Sequence, residues 1–131
     1  MPNLYRFNFS HQVLPYLPLE LSREEKKVAV IGLLDTGSTV NVLPYHMGAQ
    51  LGLVWEEQTT VLELAGNLRD VEARGILLNA TIGQFSDIRL AFAWTQSSDV
   101  PVILGHINFF RTFEVCIYSS QSYVELRLAS D

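Results

Sequence analysis

The residues best suited to chemistry lie in the stretch Ile31 to Pro44, I-G-L-L-D-T-G-S-T-V-N-V-L-P. An apolar run stops at Asp35-Thr36-Gly37-Ser38 and resumes with Val40, Val42 and Leu43. Two strands joined this way carry a carboxylate at the tip of a tight turn. A carboxylate between two apolar strands is costly unless it is paired, hydrogen-bonded or used in a reaction. Thr36 is β-branched, so its hydroxyl is held in one direction. Gly37 permits backbone angles closed to other residues and lets another main chain come near. Asp, Gly and Ser are also common turn formers. The apolar flanks, Ile31, Leu33 and Leu34 before the turn and Val40 to Pro44 after it, are what set this loop apart from a surface turn.

Other chemistries find little support. The histidines His11, His46 and His106 are far apart in sequence and have no companion thiols, so no metal site is expected and each is read as a surface or structural residue. There is no G-x-x-x-x-G-K-[ST] and no G-x-G-x-x-G, which removes the usual signals for nucleotide binding. No cofactor is expected. Cys116 is the only cysteine, so no intrachain disulfide can form.

The chain has 131 residues, 48% hydrophobic and 18% charged, with a formal net charge of -5. That composition suits one folded domain over 1–131. The negative balance argues against nucleic acid or an anionic membrane as partner, since the cluster from Arg23 to Lys27 also holds Glu24 and Glu25. No apolar run reaches the roughly 20 residues that span a bilayer. The N-terminal residues alternate and form no signal-like apolar block, so a cytoplasmic location is expected.

The elements that must position Asp35 read mostly as strands. Leu4 to Phe9 alternates. Val13 to Leu21 is apolar with Pro15 and Pro18 inside it, which suits an edge strand or an extended connection. Ser22 to Lys27 is a polar turn, and Lys27 to Leu34 a strand leading into Asp35. Pro44 to Gly52 is the best helix, with Pro44 in the first turn and Gly52 as its stop. Leu53 to Leu64 returns to strand character. Leu62 to Val71 then predicts a β-hairpin with Ala65-Gly66-Asn67 at its tip. Further strands are expected over Leu68 to Leu78, Phe85 to Trp94 and Val100 to Leu104. His106 to Phe113 has helical spacing, with Ile107, Phe110 and Phe113 close to one face. Glu114 to Tyr118 and Tyr123 to Leu128 predict a C-terminal hairpin around Ser119 to Ser122. Trp55 and Trp94 are expected in the core.

The segment L-L-D-T-G-S-T-V-N-V-L-P resembles the active-site loop of aspartic peptidases. A second match, Val102-Ile103-Leu104-Gly105, resembles the apolar pair and glycine that retropepsin-like domains pack behind that loop. The continuation H-I-N-F-F-R-T-F-E-V is similar to single-domain bacterial members and to related domains of eukaryotic ubiquitin-shuttle proteins. It departs from the retroviral version, where Gly-Arg-Asp or Gly-Arg-Asn follows at once; Asn108 falls one residue late for that role. The Leu62 to Val71 hairpin holds the place of the family's flap.

The resemblance implies a mostly β fold, a closed six-stranded acid-protease barrel half with a flap hairpin and one or two short helices. It implies an aspartic endopeptidase in which two carboxylates share a proton and activate a water. Of the five aspartates Asp35, Asp70, Asp87, Asp99 and Asp131, only Asp35 lies in Asp-Thr-Gly. The second carboxylate would then come from a second chain, making a two-fold homodimer. Thr36 would brace the two loops, Gly37 allow their approach, and Ser38 hydrogen-bond the outer oxygen of Asp35. Ala65, Gly66 and Asn67 would close over a polypeptide substrate, and Ile103, Leu104 and Gly105 support the loop from behind. The alternatives are a catalytically weak or inactive retropepsin-fold module for peptide binding or dimerisation, and an unrelated β-barrel with an accidental motif.

Overall fold

The computed structural model describes residues 3–10 and 12–129. The strands are β1 (Leu4–Asn8), β2 (Tyr16–Arg23), β3 (Lys26–Leu34), β4 (Val42–Leu43), β5 (Val61–Leu62), β6 (Ala73–Ile82), β7 (Phe85–Thr95), β8 (Val102–Leu104), β9 (Phe113–Tyr118) and β10 (Tyr123–Leu128). The α-helix among the described residues is α1 (Tyr45–Gln50). Strands run in the order β2-β3-β8-β4-β7-β6-β5, and β2 also pairs with β6. That extra pairing, Glu20↔Thr81 through Ser22↔Asn79, closes six of the strands into a barrel and leaves β5 outside on β6. Closure removes the open edges that a flat sheet would expose. A separate sheet, β1-β10-β9, packs against the barrel.

The barrel closes where the sequence allows it. Pro18 has no N–H to donate, and it sits opposite Ile31 of β3, short of the Glu20–Ser22 stretch that also needs a β6 partner. Leu17, Leu19 and Leu21 alternate inward and are buried beside Val30, Leu34, Leu78, Ile82 and Phe92. The hairpin of β9 and β10 forms where alternation predicts it, with Val124, Leu126 and Phe113 buried on its inner face. On its outer face Arg6 pairs with Glu125 and lies over the Tyr123 ring, 4.6 Å from its centre. The charge of Glu125 holds the Tyr118 phenol above its ordinary value.

Helix α1 ends at Gly52, which has a φ of 81°. Its buried residue is Gly48, and a Cβ there would overlap the indole of Trp94. The Trp94 Nε1–H donates to the Tyr45 carbonyl at 3.0 Å, and Tyr45, Trp55 and Trp94 form one aromatic group. Helix propensity alone favours Ala over Gly. Here overlap wins: Gly48→Ala is expected to lower stability by about 1–3 kcal/mol, or roughly 3–10 °C in a thermal melt. A raised melting temperature would mean that the helix can shift off Trp94.

Three expected elements differ. Leu53 to Leu64 is no long strand: Trp55–Glu57 makes a 3-10 turn and only Val61–Leu62 pairs. The Arg74 guanidinium explains this, since it stacks on Trp55 and donates to the carbonyls of Trp55 (2.7 Å) and Gln58 (3.1 Å) in place of a strand partner. The hairpin expected over Leu62 to Val71 is wider, pairing Val61↔Arg74 and Leu62↔Ala73, so β6 starts at Ala73 and not at Leu68. His106 to Phe113 makes successive turns and no continuous helix. Its buried residues are Phe109 and Phe113, while Ile107 is exposed. Ile, Phe and Thr are modest helix formers, and the short segment is pinned between Gly105 and β9.

Candidate functional site

Asp35 follows the last residue of β3, at the end where β3 runs parallel to β8 (Leu33↔Ile103, Leu34↔Leu104). The ladder continues one bond further: the Asp35 N–H donates to the Leu104 carbonyl at 3.0 Å. The chain then turns. Ser38 N–H donates to the Asp35 carbonyl at 3.1 Å, and Gly37 N–H donates to Asp35 Oδ1 at 2.9 Å. The second carboxylate oxygen has no partner in the loop. Asp35 is half-buried, and Thr36 and Gly37 are exposed at the tip. The Ser38 hydroxyl does not bond the Asp35 carboxylate; it donates to the Val40 carbonyl at 2.7 Å. The nearness of that carbonyl, closing the next turn, draws the hydroxyl away.

Behind the loop, Gly105 leaves no room for a side chain. A Cβ there would collide with the Val40 carbonyl and lie 2.9 Å from the Ser38 oxygen. The main chain beyond it ties back: His106 N–H donates to the Ser38 carbonyl at 2.7 Å and Ile107 N–H to the Thr39 carbonyl at 2.8 Å. Leu104 is fully buried, whereas Ile103 also borders the cleft.

The residue that the sequence reading missed is Asn41, fully buried between Val40 and Val42. Its Oδ1 accepts from Gly105 N–H (2.7 Å) and its Nδ2 donates to the Ala91 carbonyl (3.0 Å). Its own N–H donates to Asn108 Oδ1 at 2.9 Å. Asn108 therefore reaches the loop strand although it falls one residue later than in the retroviral pattern. The available signal was a polar side chain inside an apolar strand, which must be hydrogen-bonded if buried.

Above the loop lies a cleft of about 360 Å³. Asp35, Val40, Val42 and Ile103 border it on one side, and the segment from Glu63 to Leu68 on the other. Ala65, Gly66 and Asn67 thus face the Asp35 loop across the cleft. Gly66 has a φ of 65° and opens a 3-10 turn (Gly66–Leu68). Leu64 is buried and Leu68 half-buried against Val42 and Ile103, so the segment folds down over the cleft. This inward packing of two leucines is why the ladder stops at Leu62.

A solved structure of a retropepsin-like aspartic protease from Rickettsia conorii matches 95% of this chain and 92% of its own length, with a TM-score of 0.61 at 16% identity. This chain has a retropepsin-like fold. No protein-family model matches its sequence, and no curated protein matches it. In the retropepsin-like barrel, the Asp35 loop, the covering segment and the Gly105 turn occupy one mouth. No helix among the described residues is long and apolar enough to cross a membrane.

Proposed function

We propose that the protein is an aspartic endopeptidase that works as a homodimer. The observation that carries this reading is Asp35, at the tip of a braced Asp-Thr-Gly turn on the floor of a covered cleft in a retropepsin-like fold. One Asp35 from each chain would meet on a two-fold axis. Two like charges a few ångströms apart cannot both ionise, so one carboxyl keeps its proton. The ionised carboxylate takes a proton from a water, whose oxygen attacks the peptide carbonyl carbon. The protonated partner donates to the carbonyl oxygen and stabilises the tetrahedral species. Its collapse breaks the C–N bond, and a proton passes to the leaving amine.

Thr36 and Gly37 form the contact between the loops. Ala65, Gly66 and Asn67 close over a substrate that lies extended, its backbone bonded as an added strand. Val40, Val42, Leu64 and Ile103 offer apolar walls to its side chains.

The test is cleavage of a diverse peptide library by the purified protein from pH 3 to 7, with cut sites mapped by mass spectrometry. Cuts at defined bonds, lost in Asp35→Asn, are expected. Equal cleavage by both proteins would make Asp35 structural and overturn the reading. Peptide binding without any cleavage would instead favour the binding module.

A further inference from the structure

The reading above requires a second copy at Asp35, and the surface around that loop has an unusual make-up. Tyr16 pairs with Leu33, Leu34 N–H donates to the Pro15 carbonyl at 3.1 Å, and Tyr16 N–H to the Leu14 carbonyl at 2.8 Å. The chain therefore bends at Pro15, and Val13 and Leu14 project at the end of β3 that carries Asp35. They are 95% and 48% exposed. On the other side of the loop, Ile107 is 44% exposed and held to Thr39 by its main chain. Scattered exposed apolar residues need no explanation. These three come from two separate segments and flank one loop.

Charge points the same way. The chain next to this loop is free of charge over Gln12 to Leu19, Thr36 to Leu43 and Val100 to Phe110, which contain no Lys, Arg, Asp or Glu. Asp35 lies among these stretches, with Glu63 across the cleft from it. The centre of a protein interface is depleted in charged residues in just this manner. Thr36 and Gly37 at the tip of the loop are themselves exposed.

We propose that Val13, Leu14 and Ile107 form an apolar collar around the Asp35 loop that docks on the same collar of a second copy. The inference rests on the dimeric reading and specifies its surface. Two-fold symmetry places each side chain in the interface twice, so one substitution acts at two points.

The test is sedimentation velocity over a concentration series, with cleavage measured on the same samples. Val13→Asp and Ile107→Asp are each expected to weaken the dimer about a hundredfold or more. Activity should fall at low protein concentration and return as concentration rises, because the carboxylates themselves are intact. Val54→Asp is the control: Val54 matches Ile107 at 44% exposed but follows Gly52, which lies against Lys26 at the opposite end of β3. It should leave the dimer unchanged. Circular dichroism verifies the fold of each variant. A dimer that resists both Val13→Asp and Ile107→Asp would overturn the collar while leaving the Asp35 reading intact. A wild-type protein that stays monomeric would overturn both, and loss of dimer in Val54→Asp to the same degree would overturn the collar.

Discussion

Asp35→Asn is expected to lower kcat/KM for peptide cleavage by at least about a thousandfold, since it removes the group that accepts the proton of the attacking water. The fold should survive. The amide oxygen can still accept the Gly37 N–H that Asp35 Oδ1 accepts at 2.9 Å, so melting temperature and dimer are expected to stay close to wild type. A mixing experiment separates a shared site from one held within a single chain. If each site takes one carboxylate from each copy, a mixed dimer is inactive. Ninefold excess of Asp35→Asn, after exchange, should then cut activity per wild-type chain to about a tenth. A self-sufficient chain would show no such fall. Full activity in the mixture, with exchange demonstrated by differently labelled chains, would rule out the shared dyad.

The second large effect is expected at Asn41, which touches no substrate. Asn41→Ala removes the acceptor of the buried Gly105 N–H and the donor to the half-buried Ala91 carbonyl. Each buried group left without a partner costs about 1–3 kcal/mol, and a cavity adds to that. A loss of about 3–5 kcal/mol is therefore expected, against a typical total of about 5–15 kcal/mol. The melting temperature should fall by roughly 10–20 °C, and cleavage should fall well below wild type even at temperatures where the variant is folded. The link is geometric. Asn41 ties the Gly105 turn to the strand that leaves the Asp35 loop, and that turn's next N–H groups hold Ser38 and Thr39. Wild-type stability in Asn41→Ala would show that water replaces the side chain and that the network is not what fixes the loop.

Local chemistry was legible in the chain itself. An Asp-Thr-Gly-Ser turn between apolar runs gives a strand, a carboxylate at a tip and a second strand, because turn residues and periodicity act over a few neighbours. The same holds for the β9–β10 hairpin and for the stop of α1 at Gly52. Where a segment's partners lie far away, the same reasoning failed. Leu53 to Leu64 carries strand-like residues, yet Arg74 captures its carbonyls and bends it into a turn. The covering hairpin is wide because Leu64 and Leu68 bury themselves on Val42 and Ile103. His106 to Phe113 has helical spacing, but its ends are fixed by Gly105 and by β9.

What the sequence by itself determined was therefore the type and order of strands, the place of the acid, and the glycine that must sit behind it. Only the tertiary structure decided that β2 meets β6 to close the barrel, that Asn41 and Asn108 lock the loop, and that Val13 and Ile107 stand on either side of Asp35. Periodicity tells which face of a strand seeks burial. Which distant N–H, carbonyl or apolar surface meets that face depends on packing the whole chain at once, since each buried polar group must find a partner wherever the fold brings one.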